Sequence, residues 1–374
     1  MKKLARLLIA VAPVLGAACA DANPTAPQPS AQLAEMNDGG ALGVSVMTRN
    51  LYLGFDADPV IAALAGGDPA AIGPAMQTAV ATLYATDFAA RAGAIAEEIE
   101  RTRPHAAGLQ EAWAIHADLT PFGIEQRIDL DYIDILQSAL RARRLPYRVV
   151  ARVIDTDMQP LPGVELMDRE ALLVDTSRVT VTAIVAAQTY ANNIGVIAPG
   201  IDKKAGYIVA RTRIRGQAVT FASTHLESDL GPGSHDLVAQ LRAAQAMELA
   251  AATADAGTVV LVGDMNDEPG SLMYQVYAGA GLVDTWAALH PRQPGLTDTC
   301  FSPDLSDSAP HCQQRHDFVF ERGLDQPRAG LLGDDFLVGL SRTERVRGPA
   351  GLIWPSDHAG VVGDYLVPPA RGLR

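Results

Sequence analysis

The sequence predicts an α/β (α+β) four-layer sandwich, two packed mixed β-sheets flanked by helices. Three observations predict it. Strand-like segments follow one another in runs, above all between Pro146 and His225, instead of alternating one for one with helices. Amphipathic helices stand between those runs, as at Phe88–Arg103 and His235–Ala254. Neither a repeat of fixed period nor a second linker divides the chain, so positions 41–370 read as one domain of roughly 330 residues.

The first twenty residues read as a processing segment. Lys2, Lys3 and Arg6 make a positive start, Leu7 to Ala12 an apolar core too short to span a bilayer, and Leu15 to Ala20 a small-residue cleavage region. Two cleavages fit. Ala18-Cys19-Ala20 suits an ordinary secretory site. Gly16-Ala17-Ala18-Cys19 resembles a bacterial lipobox whose usual leucine falls one position early, at Leu15, and would make Cys19 the lipidated first residue. Either cleavage implies export: to the periplasm or cell envelope, with a membrane tether through Cys19, or by secretion. Residues 21–40, rich in Ala, Pro, Asn and Gln, read as a disordered tether.

Ala41 to Leu51 alternates apolar residues as a strand does, with Asn50 at its end. Residues 52–84, rich in Ala, Gly and Pro, read as short helices and loops. The helix from Phe88 gathers Ala92, Ile95, Ala96 and Ile99 on one face and stops before Pro104. His105 to Gln110 is a short strand with Glu111 just past it. Ile124 to Arg144 reads as a second long helix with the stripe Ile128, Ile133, Leu136 and Leu140. Its basic end (Arg141, Arg143, Arg144) suits a helix C-terminus.

Strands are then expected at 146–154, 169–175, 179–186, 207–214 and 217–225. The helix over 235–254 is expected to turn Leu237, Leu241, Ala244 and Leu249 inward. Thr258 to Val262 is β-branched or aliphatic throughout, as a strand buried on both faces requires. Gly263 ends it, and Asp264, Asn266 and Asp267 follow before Pro269. A helix near 271–280, strands at 297–301 and 317–321, and segments at 335–340 and 360–367 complete the chain. The last two bracket Trp354-Pro355-Ser356-Asp357-His358.

A hydrophobic fraction of 48% can build a large core, and 20% charged residues argues against wholesale disorder. The net charge of -13 argues against binding nucleic acid through a broad basic face. It leaves room for a nuclease in which a cation and a few arginines meet the phosphate locally. Besides Cys19 the chain has only Cys300 and Cys312, with eleven residues between them. In an exported chain that spacing suggests a disulfide closing a surface loop. Zinc is the weaker reading, since only His311 and His316 lie nearby.

Polar residues recur at the mouths of apolar strands: Asn50, Glu111, His225, Asp264, Asn266, Asp317, Asp357 and His358. Each alone has an ordinary explanation, as a cap, a surface acid or a satisfied histidine. Together they describe a site more economically.

Six segments containing them resemble, in order and flanks, the endonuclease/exonuclease/phosphatase superfamily. They are Met47-Thr48-Arg49-Asn50-Leu51, Gly108-Leu109-Gln110-Glu111, Thr224-His225-Leu226, Gly263-Asp264-Met265-Asn266-Asp267, Arg315-His316-Asp317-Phe318-Val319-Phe320 and Ser356-Asp357-His358. The resemblance spans residues 43–367 and implies a DNase I-like fold. It also implies that Glu111 holds a divalent cation, Mg²⁺ or alternatively Mn²⁺, helped by Asn50, with Asp317 as a further candidate and Asp357 completing the metal and histidine network. A hard ion of this kind needs only a few carboxylate or amide oxygens. His358, oriented by Asp317 or another carboxylate, would meet the scissile phosphate as acid–base or electrostatic stabiliser. Asp264 would orient or deprotonate the attacking water, Asn266 would stabilise the pentacovalent state, and His225 would protonate the leaving group.

The implied activity is an exported Mg²⁺-dependent phosphodiesterase, foremost a nuclease acting by in-line attack of water. The alternatives are a phospholipid or sphingomyelin phosphodiesterase or a phosphatase on the same fold and, more remotely, a non-catalytic binding protein. A phosphodiester such as nucleic acid is the expected partner, with no protein partner implied and a monomer expected. Two departures from the family pattern stand out. His316 replaces an aliphatic residue, a change expected to alter packing more than chemistry. The long stretch between Asn50 and Glu111 would reshape the substrate mouth.

Overall fold

The structure, a computed structural model, describes residues 42–367 except 68, 232 and 325–333. The predicted leader, the tether and Cys19 lie outside the described residues. One sheet comprises β1 (Leu42–Asn50), β2 (Ala106–Gln110), β3 (Ala114–Asp118), β4 (Arg127–Asp131), β5 (Tyr147–Leu161), β6 (Val164–Asp175), β8 (Gly195–Ala198), β9 (Ile201–Lys203), β15 (Asp334–Val338) and β18 (Gly360–Val367). The other comprises β7 (Val179–Thr189), β10 (Gly206–Ile214), β11 (Gln217–His225), β12 (Val259–Asp264), β13 (Val283–Asp284) and β14 (Asp317–Arg322). A hairpin of β16 (Val346–Gly348) and β17 (Gly351–Ile353) stands apart. The helices are α1 (Asp58–Gly66), α2 (Pro69–Ala85), α3 (Phe88–Thr102), α4 (Tyr132–Ala142), α5 (His235–Ala252), α6 (Leu272–Gly279) and α7 (Thr285–Leu289).

Both sheets are mixed. β1 pairs parallel with β2 and antiparallel with β18, and β12 pairs parallel with β11 and antiparallel with β14. Between the sheets, Val44, Val46, Leu172 and Val174 meet Ile208, Phe221, Val260 and Val262, all buried. On the outer face of the first sheet, Ile95 and Ile99 of α3 and Leu136 and Leu140 of α4 form a second core. Leu249 of α5 with Met273 and Tyr277 of α6 form a third on the second sheet. Four layers result, helix on sheet on sheet on helix, as predicted. Each layer exists because one face of each element is apolar and must be covered.

The sheets approach closely at Gly108 of β2. A Cβ there would lie 2.3 Å from Ser223 Oγ and 2.7 Å from Val262 Cγ2. Gly108→Ala is therefore expected to lower stability by about 1–3 kcal/mol through overpacking. It should appear as a lower urea midpoint with an unchanged m-value.

Three expectations are corrected. The helix predicted over 124–144 begins only at Tyr132, because Arg127–Asp131 pairs with β3 as a hairpin. Asp131 then caps the helix, its side chain accepting from Asp134 N. Ile128 satisfies the helical stripe equally well as an inward strand residue, so the period alone could not separate the two. The strand predicted at 297–301 is irregular and retains a single bridge, Asp298 to Gln314. In α5, Leu237 is 72% exposed, and Val238, Arg242, Gln245 and Leu249 face inward. A buried arginine with fixed partners rotates the helix away from its apparent apolar stripe.

Candidate active site

The strand registers carry the polar tips to one edge. Asn50 lies beside Gln110, whose successor is Glu111, and Asp264 lies between His225 and Asp317. β18 follows directly on Asp357 and His358 and pairs with β1. Ligand sites outside the ends of parallel strands follow from this arrangement. A cleft of about 650 Å³ opens there, lined by Glu111, His225, Asp264, Asn266, Asp357 and His358. Asn50 and Asp317 sit behind these residues, buried. All eight predicted positions are thus brought together.

Asn50 connects the two halves. Its Nδ2 donates to Glu111 Oε1 and to Asp264 Oδ2, each at 3.0 Å, while its Oδ1 accepts from Tyr52 N at 2.8 Å. Its amide nitrogen therefore faces the acids and orients Glu111. The other oxygen of Glu111 accepts from Leu53 N at 2.9 Å. Glu111 and Asn266 both hold left-handed backbone, φ +53° and +48°. Such strain persists only where surrounding contacts over-determine it.

Both ring nitrogens of His358 face carboxylates. Its Nδ1 lies 2.8 Å from Asp317 Oδ2 and its Nε2 lies 3.1 Å from Asp298 Oδ1. Burial alone would lower its pKa, but Asp298, Asp317 and Asp357 outweigh burial and hold the ring protonated well above its usual range. Burial likewise opposes ionisation of Asp264, yet the charges of His358, His225 and His316 keep it below the usual carboxylate range. Asp264 Oδ1 accepts from Asn266 N at 3.0 Å. Asn266 Nδ2 reaches Leu226 O and His225 Nε2, each at 2.9 Å.

Two residues at this site were not foreseen. Asp298 contacts His358 and also lies 2.7 Å from His316 Nδ1. His316 thus joins the electrostatics of the site, against the expectation that it alters packing more than chemistry. Its pKa rises despite burial, through hydrogen bonding and charge attraction to Asp298. The predicted strand at 297–301 hid Asp298, and a lone Asp between two threonines carries no sequence signal of its own. Cys300 and Cys312 form the expected disulfide. It closes the loop whose Phe301 and Pro303 line the cleft, and Phe301 stacks on Trp354 at 4.4 Å.

Buried arginines fix the loops. Arg49 grips Glu98 through Nε and Nη2, each at 3.0 Å, and donates to His358 O at 2.6 Å. Arg91 donates to Leu51 O at 2.5 Å and to Tyr52 O and Pro355 O at 3.1 Å. Arg242 ties Asp267 at 3.1 Å to Asp229 at 2.9 Å.

The family model of the endonuclease/exonuclease/phosphatase family matches residues 66–358. The chain belongs to this family. It is therefore a hydrolase of phosphate esters. No curated protein matches the sequence. Among solved structures, a family member from Bacteroides thetaiotaomicron is similar at 14% identity and TM-score 0.53, covering 87% of this chain and 98% of its own. The human Nocturnin catalytic domain with bound sulfate is similar at 18% identity and TM-score 0.50, covering 86% and 94%. At these identities the likeness establishes the shared fold.

Enzymes of this family depend on divalent metal, and the residues present fit one. Glu111 and Asp357 offer hard oxygen donors to the same cleft. Burial pushes the Asp357 carboxyl up to about 7; His358 opposes that shift, while Glu111 and Asp298 add to it. A cation held by Glu111 and Asp357 would relieve this repulsion. Asp317 Oδ1, buried without a hydrogen-bond partner among the described residues, is a further candidate oxygen.

Proposed function

We propose that this hydrolase is an exported Mg²⁺-dependent phosphodiesterase, foremost a nuclease. One observation carries the reading: Glu111, His225, Asp264, Asn266 and His358 converge on one cleft from the ends of β2, β11 and β12 and the start of β18. Asp264, kept ionised and held by Asn50 and Asn266, orients or deprotonates the attacking water. His358, kept protonated, faces the charge that develops on the phosphate. His225, whose Nε2 accepts from Asn266 Nδ2, would protonate the leaving oxygen through its other ring nitrogen, Nδ1. Glu111 and Asp357, with Asn50 orienting Glu111, would hold a cation that neutralises phosphate charge and steadies the leaving group. The Cys300–Cys312 disulfide supports an oxidising compartment, in keeping with export by either cleavage.

A second reading takes a phospholipid head group or another compact phosphate ester. It is favoured by the acids along the cleft, Asp56, Asp58, Asp229 and Glu227 among them, which would repel a long polyanion. A substrate panel with Mg²⁺ separates the two. EDTA-sensitive cleavage of plasmid or single-stranded DNA, falling by about 10³-fold in Glu111→Ala, is expected for the nuclease. Intact DNA with release of phosphocholine or inorganic phosphate would establish the second reading instead.

A further inference from the structure

Beside His225 the cleft holds acids that the proposed reaction does not use. Asp155 is 3% exposed, and neither of its carboxylate oxygens has a hydrogen-bond partner among the described residues. Asp168 Oδ1 is likewise buried and unpartnered. Asp155 sits where β5 slips register against β6, between Ile154 and Thr156. Ile154 turns outward there, and Asp155 and Thr156 both turn inward. A bulge of this kind re-aims a side chain, and bulges are over-represented beside active sites. The niche is also cleared on its far side. A Cβ on Gly206 would lie 2.4 Å from Asp155 Oδ1, so only glycine leaves the carboxylate room.

Oxygens of Asp155 and Asp168 and a ring nitrogen of His225 all lie within 4.8 Å of one another. Lys203, the nearby cation, is engaged by Glu227 and by Ser228 Oγ at 2.9 Å. Burial, then the neighbouring acids Asp168, Glu170 and Glu227, push Asp155 well above the carboxylate range despite Lys203. The ordinary remedy for such a cluster is protons or a metal ion.

We propose that Asp155, Asp168 and His225 form a second divalent-cation site in this cleft. Two carboxylate oxygens with an imidazole suit Mn²⁺ or Zn²⁺ better than Mg²⁺, which prefers oxygen alone. The proposal rests on these three side chains and not on the reading of Glu111 as a metal ligand. Cation binding needs the neutral ring, so an occupied site withholds His225 from proton donation. Occupancy would then regulate turnover.

The test is Mn²⁺ binding to the metal-stripped full chain, by calorimetry and electron paramagnetic resonance. The wild type is expected to bind about two equivalents, and Asp155→Asn or Asp168→Asn about one. Glu111→Gln should keep the equivalent that those two variants lose. A single equivalent lost in Asp155→Asn but kept in Glu111→Gln would support this site and sink the Glu111 reading. Binding that is identical in the wild type and both Asp variants would overturn the proposal and leave the acids sharing protons. Circular dichroism checks each fold, and Asp168→Asn carries the test if Asp155→Asn does not fold.

Discussion

Replacing Asp317 by Asn is expected to lower kcat by about 10³–10⁴-fold while the chain stays folded. Asp317 Oδ2 lies 2.8 Å from His358 Nδ1, and both side chains are buried. Asn keeps the shape and removes the charge. It can also present an N–H towards Nδ1, which disfavours the protonated ring. Asp298, Asp317 and Asp357 together raise the His358 pKa against burial. A raised folded-state pKa means that the benefit of the protonated ring is present at low pH and lost as pH rises through that value. Without Asp317 the loss comes earlier, so the alkaline limb of the kcat/KM profile should move to lower pH. Activity within tenfold of the parent, with an unmoved limb, would exclude this role.

Replacing Arg49 by Met should cost about 3–5 kcal/mol of stability, because it leaves Glu98 buried without its partner. The pair is bidentate and buried between β1 and helix α3. Burial already pushes the Glu98 carboxyl up, and Arg49 is the main group holding it down. Arg49 also donates to His358 O, so activity should fall together with stability. Arg49→Met with Glu98→Leu removes both charges and should recover much of the stability without the activity. Urea unfolding and turnover of the single and double variants complete the cycle. A single-variant loss below about 1 kcal/mol would show that the pair contributes little.

Much of the site was legible because its residues stand where an apolar run stops. Thr258 to Val262 can only be a strand covered on both faces, so its Asp264 must emerge at an edge. The helix over Phe88–Thr102 was equally legible, since its apolar face repeats at helical spacing and Asp87 caps it. The hairpin of β3 and β4 was not, because Ile128 fits a helix and a strand alike. Arg242 was missed for the opposite reason. Its burial depends on Asp229 and Asp267, which lie on loops distant in sequence.

Alone, the sequence determined the layered architecture, most of the element types and the eight polar strand ends, because each depends on local hydrophobic periodicity and on where it breaks. Tertiary structure alone decided that Asp298 meets His358 and His316, that a bulge turns Asp155 towards Asp168 and His225, and that Gly108 must lack a side chain. Those facts depend on register and on the separation of the two sheets. Such quantities arise only when strands far apart in the chain pack against one another.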